Sequence, residues 1–429
     1  MGVEMGHSLR SQPMFPLRTV VFGALIPTLI FQIGIGAILP VLVPTAVGLG
    51  SSLAAAGVVA ALLPVGQLLA DLPAGALAAR VGDRMAMVIA GVVAAAAALG
   101  AALAPGLLTL AAAVVGVGAA SAVFNLARHS YLTVVAAPDH RARVMSTLAG
   151  AHRIGQFLGP FLGAFVIAAG EVRYAYVLAA VAAGAAVLVL VLAPSLGAAQ
   201  QRSPRYSLRC VAGRRKSGAG GNSPTLRQLL REHRNVFTSL GVAVLLVGAV
   251  RGARQAVIPL WGAYLGLDPA TISLIFGLSG GLDMLLFYPA GKIMDHYGRL
   301  WVGIPAMLTM GGAMVALPLT ADTVGLSVAA AVMGLGNGLS SGILMILGSD
   351  VSPSAGRARF LGIWRVLQDG GAALGPLVVA AGAALGSLAL GVGIAGILGI
   401  GAAGALVRWV PRWSVYANRT TQRRAGLRP

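Results

Sequence analysis

Charge is scarce in this sequence. Of 429 residues only 10% are Asp, Glu, Lys or Arg, 57% are hydrophobic, and the mean hydropathy is +0.86. A soluble domain carries about a quarter charged residues. This chain cannot clothe a globular surface with charge, so lipid is its expected solvent. Cysteine is scarcer still: Cys210 stands alone, which excludes an intramolecular disulfide and a cysteine metal centre. The six histidines show no paired-ligand spacing, so no metal site is expected. A G-x-x-x-x-G-K-[ST] loop is missing, which argues against direct drive by ATP. No nucleophile–base constellation appears either, so no catalytic residue and no bound cofactor are expected. Nor is a cleavable leader evident: Met1 to Arg18 is polar and weakly basic, and the apolar run behind it is long enough to stay as a first membrane helix.

Long apolar runs, by contrast, are plentiful. Crossing the hydrocarbon takes roughly 20 apolar residues in a helix. Twelve stretches qualify, with cores at 20–46, 53–79, 85–104, 107–129, 144–169, 172–193, 235–264, 270–292, 300–320, 323–348, 359–385 and 387–409. Their Ala, Gly and Val content would suit strands as well, but their length and small residues favour closely packed membrane helices. The expected fold is an all-α membrane protein of two six-helix bundles, residues 1–193 and 235–410. Between them lies a basic linker (194–234), and a basic tail (411–429) follows. The linker carries nine basic residues around a flexible KSGAGGNSP stretch. Ser223-Pro224 then reads as a helix cap, with Leu226, Leu229 and Leu230 at helical spacing among arginines. That segment is either a short interfacial helix on anionic lipid or a disordered basic linker.

The net charge of +19 would raise nucleic acid in a soluble protein. Here 26 of the 31 basic residues fall in the tails, the linker and alternate loops, and the other loops hold only Arg173. That asymmetry predicts both termini in the cytoplasm of a plasma membrane. The charge is then a topology signal, and no nucleic-acid partner is expected.

The two halves repeat. DLPAGALAARVGDR closes the second span and LFYPAGKIMDHYGR the eighth, with Gly75 and Gly82 matching Gly291 and Gly298 at an offset of 216. The same offset maps Arg141-Ala142-Arg143 onto Arg357-Ala358-Arg359, and Gly155 with Leu158-Gly159-Pro160 onto Gly371 with Leu374-Gly375-Pro376. The pattern resembles the major facilitator superfamily over essentially the whole chain. Gly75, Arg80, Gly82 and Arg84 fit the family's loop signature after helix 2, although Ala79 replaces its Asp and Asp83 its Arg. Gly291, Asp295, Gly298 and Arg299 fit the copy after helix 8. The resemblance implies that these loops gate the cytoplasmic side and that Asp295 meets the start of helix 5 near Arg143 to Met145. Gly155, Gly159, Pro160 and Gly163 look like the helix 5 signature of the family's drug/proton antiporters. Equally, they suit ordinary small-residue packing. The helix 4 Arg of those antiporters is missing: Ala112 stands in its place, with Asn125 and Arg128 further along.

Seven charges remain inside the spans: Asp71, Arg153, Arg251, Arg254, Asp283, Arg365 and Asp369. Each is costly there and is expected to face a cavity or a partner. At 1.5 Å per residue, Asp71 is about 13 Å deep, Arg153 about 15 Å and Asp283 about 12 Å. In the resembled fold helix 2 faces helix 11 and helix 5 faces helix 8. That pairs Arg153 with Asp283, and Asp71 with Arg365 or Asp369, as the transport and coupling candidates; Arg365 and Asp369 could instead neutralise each other at i,i+4. Gln32, Asn125, His152, Arg251 and Arg254 are candidate cavity groups.

The expectation is a monomeric secondary transporter that uses the proton gradient to export a small amphipathic compound. An organic-anion carrier in either direction, and a non-transporting membrane sensor, stand as alternatives.

Overall fold

A computed structural model describes residues 17–136, 140–193, 226–353 and 356–426. Most of the linker, including Cys210, lies outside them. Among the described residues run twelve long helices: α1 (Arg18–Gly48), α2 (Leu53–Val81), α3 (Asp83–Ala102), α4 (Leu107–Val135), α5 (Arg141–Ala168), α6 (Arg173–Leu192), α7 (Arg234–Tyr264), α8 (Pro269–Tyr297), α9 (Leu300–Ala316), α10 (Thr323–Val351), α11 (Arg357–Leu385) and α12 (Leu388–Trp413). Eleven spans meet the length and apolarity needed to cross a membrane; α5 is not among them. It has the length, at 28 residues, but Arg141, Arg143, His152, Arg153 and Gln156 dilute its apolarity. The most functional-looking helix is therefore the one that hydropathy alone undervalues.

Caps start these helices where the chain turns. The Ser52 hydroxyl accepts from the Ala55 amide at the head of α2. Asp268, at the same place in the second half, accepts from the Ala270 and Thr271 amides at 3.0 Å. Each satisfies donors that the first helical turn leaves orphaned. Gly82 and Gly298 end α2 and α8 with φ of +85° and +103°, a backbone region that side chains resist.

The repeat is carried into packing. In the first half α1 lies against α5 and α6, α2 against α4, and α3 against α4 and α6. In the second half α7 packs on α11 and α12, α8 on α10, and α9 on α10 and α12. The halves meet through α2 with α11 and α5 with α8. Glycines permit the closest approaches. A Cβ on Gly155 would meet the Leu29 carbonyl oxygen at 2.5 Å, and one on Gly159 would strike the Ile33 carbonyl. Gly371 and Gly375 stand in the same relation to the Leu245 and Ala249 carbonyls of α7. The helix 5 motif is thus a packing face for α1, and α11 repeats it against α7.

α10 departs from a single straight helix. It breaks between Leu339 and Ile343, with Gly342 left-handed at φ +80°. The seven-residue helix Leu226–Glu232 precedes α7 and buries Leu229 while Arg227 and Arg231 stay exposed.

Candidate functional site

The described residues nearest the two termini, Leu17 and Gly426, and the loops after α2 and α8 lie at one end of the bundle, here the basic end. At the opposite end the halves are joined: the last turns of α1 touch α7 and α8, and a Cβ on Gly57 of α2 would meet Ala380 of α11 at 3.0 Å. Phe161 and Phe157 of α5 lie over Gly277 and Gly281 of α8. The Arg153–Asp283 and Asp71–Arg365 contacts follow at mid-helix.

Toward the basic end the loop copies turn inward to their own halves. Gly75 and Gly291 have open space beside them. Arg80 is exposed. Arg84 donates to the Leu190 and Ala193 carbonyls, at 2.5 and 2.6 Å, and so caps the end of α6. Asp295 does not reach the start of α5. Its side chain is 81% exposed and its ion pair, 3.6 Å, is with Arg299 on the next turn. Arg299 is also bound by Asp350 at 3.3 Å and lies over the Tyr416 ring. The Arg299 and Leu300 amides donate to the Tyr416 and Ala417 carbonyls. The second loop is thus occupied by the C-terminal segment, and among the described residues its Asp295 carboxylate has Arg299 of its own half as ion-pair partner. The cross-half contacts described here lie at the opposite end and at mid-helix.

A cavity of about 180 Å³ lies between the halves, lined by His152, Arg153, Gln156, Arg251, Arg254, Gln255, Asp283 and Asn337 among others. Its polar groups are tightly ordered. Arg153 of α5 donates to Asp283 of α8 at 3.3 Å and to Ser341 in the α10 break at 2.7 Å, and its guanidinium lies over the Phe287 ring. Asn337 donates to the other Asp283 oxygen at 2.6 Å and accepts from Arg251 at 2.9 Å. Arg254 donates to Ser279 at 2.8 Å and stands 4.0 Å from Asp283. Three arginines thus face one carboxylate, an excess of two positive charges. Gly338 lets α10 approach α8 at Asp283 itself, where a Cβ would meet the Asp283 carbonyl at 2.6 Å.

The remaining membrane charges form a second cluster. Arg365 of α11 is 3.2 Å from Asp369 on its own helix and 3.7 Å from Asp71 of α2 across the interface. Both expected pairings are present at once, because one guanidinium serves two carboxylates. Neither Asp71 oxygen receives a hydrogen bond among the described residues.

Several placements differ from the sequence reading. Gln32 is buried and donates to Asn125 at 3.4 Å. The two tie α1 to α4 and are not among the residues lining the cavity. Arg251 and Arg254, expected as cavity groups, share one cavity with Arg153. Arg128 was counted with the loop charges, but it is 4% exposed and contacts His152 at 3.1 Å, because α4 runs to Val135. Asn337, Ser341 and Ser279 were missed. The polar run Asn337 to Gly342 inside a span was the available signal.

A family model described as Major Facilitator Superfamily matches residues 24–376. No curated protein matches the chain. Solved structures do. A D-xylose-proton symporter is 16% identical, with 95% of this chain and 99% of that one covered at a TM-score of 0.70. A peptide transporter POT in complex with sulfate is 14% identical, covering 95% and 97% at 0.72. The nucleoside transporter NupG is 16% identical, covering 91% and 98% at 0.69. At these identities the likeness is one of fold.

Proposed function

The chain belongs to the major facilitator superfamily, and from that premise we propose that it is a secondary transporter whose central cavity takes a small organic anion. The observation that carries this reading is the charge of the cavity: Arg153, Arg251 and Arg254 against Asp283 alone. Uncompensated charge in a low-dielectric site costs several kcal/mol per ion. A cargo that brings negative charge removes that cost, whereas an amphipathic cation would add to it. Planar guanidinium groups also match carboxylate and phosphate geometry.

Export of an amphipathic compound draws less support. Its sequence basis was the helix 5 signature, and the same glycine contacts recur between α11 and α7. Alternating access is supported by the way the halves meet, chiefly through α2–α11 and α5–α8 with α1 touching α7 and α8 at one end, so that rocking can move the opening from one end to the other. The proton gradient is the proposed energy source, with the Asp71–Arg365–Asp369 cluster as its site: two carboxylates share one arginine, apart from the cargo cavity. The basic end faces the cytoplasm of the plasma membrane, by the positive-inside bias, with anionic lipid against Arg227 and Arg231. Cavity and cluster lie within one chain, so a monomer is a complete unit.

The test is counterflow in liposomes with labelled lactate, succinate, benzoate and phosphate, with choline as the cationic control. Saturable counterflow of one anion, lost in Arg251→Gln, is expected. Counterflow of choline and none of the anions would overturn the reading. A pH-sensitive dye inside vesicles with anion on both sides gives direction and coupling: cargo-dependent dissipation of a proton gradient is expected.

A further inference from the structure

Among the described residues, Arg153 is the only charged side chain that the first half contributes to the cavity wall. Everything that holds its guanidinium belongs to the second half: Asp283, Ser341 and the Phe287 ring. Asp71, the acid of α2, is held instead by Arg365, and among the described residues Asp283 is the only acid within ion-pair distance of Arg153. The other two cavity arginines sit in the second half together with Asp283 and keep it through any rigid-body motion of that half.

The consequence concerns an empty carrier. Rocking the halves apart at mid-membrane strands Arg153 without a counter-charge, while Asp283 retains Arg254 and Asn337. Breaking one partner from a buried pair is strongly unfavourable, because the remaining charge is left uncompensated. A bound anion changes this. It gives Arg153 a counter-charge that travels with it, so the Asp283 contact can be released. We propose that Arg153–Asp283 is a lock on the empty carrier, and that the protein is therefore an obligate exchanger. Each passage, outward and return, requires a bound anion, so the proton gradient drives transport only through a proton that accompanies the anion on one of the two passages. This rests on the anion reading of the cavity, but its structural half does not need a cargo.

The lock is tested without one. In a Cys210→Ser background, spin labels are placed on Ser146→Cys of α5 and Lys292→Cys of α8, exposed positions at the basic end of the two halves. Electron–electron distances are then measured in nanodiscs free of added anions. The locked protein is expected to give one long-distance population. Asp283→Asn is expected to add a shorter one, as the basic end closes in part of the ensemble. The swapped pair Arg153→Asp with Asp283→Arg restores the lock and the single population, which separates loss of the contact from general damage. An Asp283→Asn distribution identical to the parent, or a monodisperse swapped protein that keeps the second population, overturns the lock. The transport arm uses whichever anion gives counterflow. Exchange is expected to exceed net efflux by about tenfold or more, within the range of a typical coupling free energy, and Asp283→Asn is expected to bring the two within about twofold of each other. Equal exchange and net efflux in the parent protein overturns obligate exchange. If none of the anions is carried, the distance measurement still decides the lock, so the two failures are told apart.

Discussion

The glycine contacts that seat α5 on α1 make a quantitative prediction. An alanine at Gly159 places its methyl carbon 2.7 Å from the Ala37 nitrogen and the Gly36 Cα, and closer still to the Ile33 carbonyl. All three are backbone atoms of a packed helix and cannot rotate aside, so α1 must shift. Overpacking of this kind costs about 1–3 kcal/mol. Against it stands the gain of about 0.5–1 kcal/mol from replacing a helical glycine by alanine. At Gly163 the nearest atom would be 3.4 Å away, ordinary contact, and at Gly184 of α6 nothing lies within 4 Å. Gly159→Ala should therefore be destabilised, Gly163→Ala near neutral and Gly184→Ala slightly stabilised. The helical gain is common to both, so the spread between the first and last is the overpacking cost, about 1–3 kcal/mol. Gly375→Ala, which repeats the contact against Ala249 and Ala253 of α7, should match Gly159→Ala. The assay heats detergent-purified protein and measures the monodisperse fraction remaining. If Gly159→Ala survives heating as well as Gly184→Ala, the close-packed face does not hold the bundle together and the reasoning is wrong.

Two further outcomes follow from the ends of the helices. Arg84→Ala removes the guanidinium that caps the α6 carbonyls; hydrogen bonds from a charged donor contribute about 1.5–3 kcal/mol, so this variant should unfold at lower temperature, with Arg84→Lys intermediate, as read by the same heating assay. Asp268 is held below the ordinary carboxylate range by the hydrogen bonds of the Thr271 side chain and amide. A depressed acid contributes stability above its unfolded value and loses it as pH falls through the folded one. Melting of the parent protein should therefore weaken in acid below the usual carboxylate range, and Asp268→Asn should flatten that part of the pH profile.

Much of the architecture was legible from local pattern. Helix bounds follow hydropathy closely: the expected core 53–79 became Leu53–Val81, and 235–264 became Arg234–Tyr264. A membrane helix must satisfy its backbone internally, so its length is written in one continuous apolar run. The repeat was equally plain. Its offset of 216 reappears in the starts of α2 and α8, Leu53 and Pro269, and of α5 and α11, Arg141 and Arg357.

What the sequence alone determined was a twelve-helix membrane protein in two related halves, with seven charges in the spans at estimated depths. Depth is a one-dimensional quantity, and rotation about each helix axis is set only by packing. The tertiary structure therefore decided the grouping. It gathered Arg153, Arg251 and Arg254 around Asp283, and Asp71 with Asp369 around Arg365. It drew Arg128 inside against His152 and closed the second loop copy with the C-terminal segment. A pooled excess of one positive charge became an excess of two in one cavity. That difference is why a cargo of negative charge fits here, and it arises because helices from both halves converge on one point of the membrane.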